Sequence, residues 1–155
     1  GSGCTCRAET TPMPLARLIL SITAAIWMGY GGWLFIDPTG LRYAGFELTH
    51  WSAIVEVQAM YGAVEFMLGV FALLGVLRPQ RYLHAALLLW FLIYAALVVG
   101  RLVGIAQWGG SYALAFGAAA LPDSYNPGAL WLLELPSALL LLAALWRTRA
   151  VGRQD

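Results

Sequence analysis

Four long apolar segments separated by short polar breaks dominate the pattern of this chain. They run from about residue 15 to 36, 49 to 77, 82 to 108 and 127 to 146. A helix needs about 20 predominantly apolar residues to cross the hydrocarbon core of a bilayer, and each segment reaches that length. The pattern therefore predicts an all-α integral membrane protein built as an up-down four-helix transmembrane bundle.

The breaks carry residues that begin and end helices. Asp37-Pro38 closes the first segment and Gly109-Gly110 closes the third, because proline cannot continue a helix and glycine favours a turn. Thr49 is the predicted N-cap of the second helix, and Asn126-Pro127 places an N-cap and a first-turn proline before the fourth. The charged stretch 78–81 predicts a tight hairpin, so the second and third helices should be antiparallel neighbours.

Arginine placement predicts the orientation of the bundle. One side has a single arginine, Arg42, whereas the other has seven: Arg7, Arg17, Arg78, Arg81, Arg147, Arg149 and Arg153. Cytoplasmic loops of membrane proteins carry an excess of Lys and Arg. We therefore expect both termini to be cytoplasmic. A flexible tail (1–14) would precede the transmembrane domain (15–146), and a basic tail (147–155) would follow it.

Composition restricts the partners. Hydrophobic residues make up 61% of the chain and charged residues 11%, against about 25% charged in a typical soluble domain. The net charge of +1 and the lack of a basic patch argue against a nucleic-acid partner. The expected partners are the lipid bilayer and either other membrane-protein subunits or further copies of this chain.

The chemistry for a metal centre or a bound cofactor is not evident. Cys4 and Cys6 are too few for a zinc site, and no His lies near them in sequence. They are interpreted as incidental thiols of a flexible tail, with lipid attachment to Cys4 as the alternative. No metal and no cofactor are predicted; a bound lipid or quinone is the expected kind of ligand.

Four polar residues are predicted to form one buried layer in the outer leaflet. Glu56, Arg101, Glu134 and Tyr30 each lie seven or eight positions from the predicted outer end of a helix, about 10 Å deep. An unpaired arginine in hydrocarbon is costly, and a guanidinium can bridge two carboxylates. The preferred pairing is Arg101 with Glu134, with Glu56 as second partner. Three interpretations stay open: a structural clamp, the polar floor of an outward-facing pocket, and shallow snorkelling without pairing.

A second carboxylate of the second helix is predicted to lie deeper. Glu65 is nine positions after Glu56, about 13 Å further along and near the midplane. At 100° per residue the two carboxylates face opposite sides. Glu65 would share its face with Gln58 and Tyr61, either of which could hydrogen-bond to it, and with small residues suited to close helix packing. A proton-relay carboxylate and a contact with a partner or cofactor are the alternatives.

The second helix also resembles a known family. The stretch EVQAMYGAVEFMLG, from Glu56 to Gly69, is similar to the Glu-x-Arg-Ala-Met-Tyr-Gly-Gly signature of an uncharacterised group of small four-span bacterial membrane proteins, distantly DoxX-like. Arg101 and Glu134 also fit that resemblance. Gln58 stands where the family has arginine, and Ala63 where it has its second glycine. The resemblance implies the four-span fold and a location in the bacterial inner membrane, and it brings no biochemical activity with it.

Three functions remain in competition. The first is a non-enzymatic membrane subunit or assembly factor that packs against a larger complex and holds lipid or a quinone-like ligand. The second is a small proton-coupled transporter that uses Glu65, and the third is a membrane enzyme acting on a quinone or lipid. The third ranks last, because no nucleophile with a neighbouring base and no set of metal ligands is evident in the sequence.

Overall fold

The computed structural model describes residues 13–44, 46, 48–108 and 130–151, and these form helices without any strand. The first helix is Met13–Ile36, the second Trp51–Leu77 and the third Pro79–Trp108. The fourth covers 130–151 and begins with a π-helical turn, Leu130–Glu134. All four are long and apolar enough to span a membrane, which confirms that part of the prediction. The cysteines, the predicted Gly109-Gly110 stop, the rest of the 109–126 loop and the Asn126-Pro127 cap lie outside the described residues.

The ends of the helices follow the predicted breaks with two differences. The first helix ends at Ile36, and a 3₁₀ helix, Pro38–Ala44, follows it. His50, in extended conformation, is the N-cap of the second helix, so the assignment of Thr49 to that position was wrong. The charged hairpin is shorter than expected, because the third helix already begins at Pro79, where a missing N–H has no cost.

The core consists of two apolar clusters. The larger one joins all four helices and includes Leu20, Trp90 and Leu141, which are fully buried. The smaller one lies at the end of the bundle where the first helix stops, which we call the Asp37 end; its members are Leu34, Leu41, Leu48 and Val57. The opposite end, where the second helix turns into the third, is called the Arg78 end.

Glycines bring the first and second helices into backbone contact. A Cβ atom added to Gly31 would lie 2.8 Å from the carbonyl oxygen of Gly62. One added to Gly62 would lie 2.8 Å from the Cα atom of Phe35, and one added to Gly69 would lie 2.7 Å from the amide nitrogen of Met28. Gly62 and Gly69 are the small residues that share the predicted face of Glu65, and their expected close packing is confirmed. These contacts fix an antiparallel register between the two helices.

The small-residue pair of the third helix behaves differently. Gly100 and Gly104 have no atom within 4 Å of an added Cβ in the part of the chain that the structure describes. Small residues at this spacing allow two helix backbones to approach each other. None of the described helices approaches Gly100 or Gly104 in this way.

A first prediction compares two glycines of the first helix. Gly31→Ala should lower the free energy of unfolding by about 1–3 kcal/mol, because the new methyl group would overlap the backbone of the second helix. Gly29→Ala meets no atom within 4 Å and should gain up to about 1 kcal/mol from the better helix propensity of alanine. Denaturation of both variants in detergent micelles, followed by circular dichroism, measures the difference. Equal stability of the two would contradict the packing described.

Candidate functional site

Arg101 and Glu134 form an ion pair between the third and fourth helices. The Nε atom of Arg101 lies 2.6 Å from Oε1 and 2.7 Å from Oε2 of Glu134. The Glu134 side chain is only 4% exposed, whereas the Arg101 side chain is 35% exposed. The predicted pairing is therefore present, with the carboxylate inside the bundle and the guanidinium at its margin.

Glu56 is not part of this pair. It is exposed and makes no ion pair with Arg101 within the described ranges, so its predicted place in a buried layer was wrong. The reason is the position of Glu56 along the axis of the bundle. The neighbouring Val57 packs with Leu41 of the 3₁₀ helix, beyond the end of the first helix. The second helix has 27 residues and is about 40 Å long, which is longer than the hydrocarbon core of a bilayer. A count of residues from the end of this helix therefore overestimates the depth of Glu56.

Glu65 takes the position that was expected for Glu56. Gly31 and Gly32 of the first helix lie against Phe66, so the adjacent Glu65 is level with Tyr30, the residue before Gly31. Tyr30 interacts electrostatically with both Glu65 and Arg101. Glu65 therefore belongs to the same layer as the ion pair and does not lie in a separate, deeper stripe.

Each of the four helices contributes one polar residue to this layer. In each helix the layer residue lies about one turn beyond the last core residue on the way to the Asp37 end. Tyr30 lies beyond Trp27, Arg101 beyond Leu97, Glu65 beyond Leu68 and Glu134 beyond Ala138. We call Tyr30, Glu65, Arg101 and Glu134 the polar layer. It lies at the edge of the large apolar cluster, and Tyr30 also packs against the small one.

The surroundings of Glu65 differ from those expected. The Gln58 side chain donates its amide hydrogen to the carbonyl oxygen of Phe35, at 2.7 Å, and not to Glu65. Tyr61 is within electrostatic range of Tyr30 and is partly exposed. Oε2 of Glu65 is buried without a hydrogen-bond partner among the described residues. The predicted hydrogen bond from Gln58 or Tyr61 to Glu65 is therefore absent from this part of the chain.

Both carboxylates of the polar layer adjoin irregular helix. Residues Gln58–Val64 form a π-helical segment that ends directly before Glu65, and the segment Leu130–Glu134 ends at Glu134. In a π-helix each N–H bonds to the carbonyl five residues back, so the turn is wider than in an α-helix. Counting 100° per residue from Glu56 to Glu65 therefore does not apply. In the fourth helix, Pro136 has no N–H to donate to Leu132, which agrees with an irregular turn just before it.

Sequence reasoning missed an aromatic group beside the ion pair. Trp27 Nε1 donates a hydrogen bond of 2.8 Å to the hydroxyl oxygen of the buried Tyr94. Tyr94 also hydrogen-bonds to Ser137 and interacts electrostatically with Glu134. Trp90 packs against both rings, with centroid distances of 5.2 Å to Trp27 and 5.8 Å to Tyr94. Tyr94 thus connects the first, third and fourth helices next to Glu134.

One signal in the sequence could have revealed these residues. Trp90, Tyr94 and Arg101 are spaced by four and seven, which puts them on a single face of the third helix. If Arg101 is predicted to point into the bundle, then Trp90 and Tyr94 on the same face of its helix are predicted to point inward as well.

The layer offers limited chemistry. Among the described residues no group of three or more His, Cys, Asp or Glu side chains lies close enough to hold a metal ion. The arrangement can bind an amphipathic head group through charge and hydrogen bonds, and it can exchange a proton at Glu65. No family model, no curated protein and no solved structure matches this chain.

A second prediction concerns the asymmetry of the ion pair. Arg101→Met leaves a buried carboxylate without its cation and should lower the free energy of unfolding by about 3–5 kcal/mol. Glu134→Gln leaves the partly exposed guanidinium able to reach water and keeps a polar acceptor, so the loss should be about 1–2 kcal/mol.

Detergent unfolding of both single variants and of the double variant measures this difference. The double variant should lose less than the two single losses together, because it no longer buries an unpaired charge. Equal losses for the two single variants would show that Glu134 is not the more desolvated partner.

Proposed function

We propose that this protein is a non-enzymatic integral membrane subunit or assembly factor, which packs against a larger membrane complex and holds a lipid-like or quinone-like ligand at its polar layer. The observation that carries the proposal is the layer itself. Four helices place Tyr30, Glu65, Arg101 and Glu134 together inside an apolar bundle, and the Arg101 side chain is partly exposed at its margin. Such polar groups in a membrane bundle mark a binding site or a contact with a partner.

A face of the third helix supports packing against other membrane helices. Gly100 and Gly104 leave open space at their Cα atoms among the described residues. The side chains of Val99, Leu102 and Val103 around them are exposed. Small residues on an apolar face let a second transmembrane helix approach closely. This face lies next to Arg101, so a docked helix would close the polar layer on that side.

The exposed carboxylate Glu56 is not evidence for this proposal. Its position level with the 3₁₀ helix gives it access to water at the Asp37 end, so its exposure needs no partner to explain it. The resemblance to DoxX-like four-span proteins and the bacterial inner-membrane location, with both termini cytoplasmic, stay predictions of the sequence.

A third prediction tests the docking face. The double substitution Gly100→Ile with Gly104→Ile should at least halve the amount of partner subunits that co-purify from native membranes, because the bulky side chains keep a second helix away. Gly29→Ile is the matched control, since its surroundings are equally open on the first helix. Native mass spectrometry gives the stoichiometry. Unchanged partner recovery in the double variant, with correct folding, would remove the docking face from the proposal.

A proton-coupled transporter is the second candidate, and one observation favours it. Oε2 of Glu65 is buried without a hydrogen-bond partner in the described chain. A carboxylate in such surroundings is a group that can take up and release a proton during a transport cycle.

A fourth prediction separates this candidate from the first. If the protein is a transporter, Glu65→Gln should abolish pH-driven uptake in proteoliposomes, because the amide cannot carry a proton. Glu56→Gln, on the same helix but exposed, should leave the uptake unchanged. Wild-type uptake by the Glu65 variant would exclude the transport hypothesis.

A further inference from the structure

Four arginines surround the bundle at the Arg78 end, one on or beside each helix. In the first, second and fourth helices the arginine stands 13 positions from the polar-layer residue of the same helix; these are Arg17, Arg78 and Arg147. The chain is α-helical between the two positions, so each arginine lies about 20 Å along the axis from the layer. Because the layer residues are level, these arginines are level as well. Arg81, at the start of the third helix, completes a group that we call the arginine belt.

A contact between three helices gives the same level independently. A Cβ atom added to Gly75 of the second helix would lie 2.7 Å from Cβ of Ala86 and 3.0 Å from Cδ1 of Leu20. The belt arginines of these three helices stand three to five positions further towards the Arg78 end. They therefore lie about 5–8 Å beyond one shared contact.

The belt lies at the border of an exposed apolar surface. The side chains of all four belt arginines are exposed. Their neighbours in sequence include three large apolar side chains that are also exposed: Leu18 at 56%, Leu77 at 65% and Trp146 at 70%. In a bundle that spans a membrane, exposed apolar side chains contact acyl chains, and tryptophan lies at the level of the head groups. The belt therefore has the level at which lipid phosphates lie.

No acid balances the belt in the part of the chain that the structure describes. The acids there lie at the Asp37 end or in the polar layer: Asp37, Glu56, Glu65 and Glu134. The nearest of them are thus about 20 Å from the belt along the axis. Exposed charges are largely screened from each other beyond about 8 Å at physiological ionic strength. In sequence, residues 1–12 and 152–155 contain two arginines and two acids, which add no net charge.

One belt side chain is already held in place. The guanidinium carbon of Arg81 lies 5.2 Å from the ring centroid of Tyr82. Tyr82 is half-buried and packs against Phe71, with ring centroids 6.1 Å apart. A long side chain that is held before a ligand arrives loses less entropy when the ligand binds. Arg81 therefore presents its N–H donors at a fixed place beside Arg78.

We propose that the arginine belt binds the phosphodiester head group of an anionic phospholipid, whose acyl chains lie along the exposed apolar side chains next to it. The planar donors of arginine match two oxygens of a phosphate at once. A soluble anion would balance the charge and leave the adjacent apolar surface uncovered, whereas a lipid satisfies both. The belt is at the opposite end of the bundle from the small apolar cluster and about 20 Å from the polar layer, so this site goes beyond the proposed function and does not depend on it.

A fifth prediction measures the lipid preference of the belt. The full chain in detergent micelles is titrated with phosphatidylglycerol and, separately, with phosphatidylcholine, and native mass spectrometry counts the bound lipids. The two lipids share the phosphodiester, and phosphatidylcholine adds a cation that the belt repels. One arginine near an anionic lipid contributes about fivefold in affinity, so two contacts on one head group should favour phosphatidylglycerol at least tenfold.

Charge variants show whether the belt causes this preference. The fourfold variant with Arg17→Gln, Arg78→Gln, Arg81→Gln and Arg147→Gln should lose most of it, and lysine at the same four positions should keep most of it. Arg42→Gln removes an exposed arginine from the Asp37 end, so it is the matched control and should behave like the wild type. Circular dichroism checks the helix content of each variant. If the fourfold glutamine variant does not fold, Arg78→Gln with Arg81→Gln should still lower the preference at least threefold.

Several results would overturn the proposal. Equal affinity of the wild type for the two lipids is one, and an unchanged preference in the folded glutamine variants is another. Loss of the preference in the lysine variant would show that charge is not its cause. Glycerophosphoglycerol, the head group without acyl chains, should not displace the lipid; displacement would assign the belt to a free phosphodiester. An acidic protein that co-purifies with the wild type and not with the glutamine variant, without any lipid preference, would assign it to a partner subunit.

Discussion

The structure depends on keeping charge inside an apolar bundle. Glu134 is nearly inaccessible, and Arg101 approaches both of its oxygens from the neighbouring helix. A buried carboxylate without its cation would be severely unfavourable, so the pair holds the third and fourth helices at one axial position. Tyr94 extends this constraint, because its hydroxyl contacts Ser137 of the fourth helix and Trp27 of the first. The ion pair and the hydrogen bonds of Tyr94 together fix the relative height of three helices.

The second helix obtains its height from a different interaction. Gly31 and Gly62 let the backbones of the first and second helices touch, and the contact of Gly69 with Met28 repeats this two turns away. Apolar side chains alone would allow the helices to slide, because lipid tails are as apolar as leucine. Backbone contact at glycine permits one register, and that register brings Glu65 level with Tyr30. The glycine contacts between the first and second helices therefore bring Tyr30 and Glu65 to the level of the ion pair that joins the third and fourth helices.

Hydropathy and helix-breaking residues were enough to predict four helices, because length and apolar composition are decided locally. The Arg101–Glu134 pair was also predictable, since both residues lie at similar distances from the loop that joins their helices. Glu56 was misplaced because the second helix extends past the end of the first, and sequence does not show where one helix lies against another. Glu65 was misplaced for the same reason. Its correct height follows only from the glycine contacts, which involve a residue pair from two separate helices.

The π-helical segment Gln58–Val64 was beyond prediction, and its cause is in the packing. π-Helical residues are rare, and an irregular turn persists only where the surroundings determine it. No proline explains this one. Gln58 is bonded to the carbonyl oxygen of Phe35, and Gly62 lies against the backbone of that same residue. Two residues four positions apart are thus held to one point of the first helix, and the wider turn accommodates both before the regular helix resumes at Glu65. The irregularity and the inward position of the carboxylate therefore have a common origin in Phe35 and its two contacts.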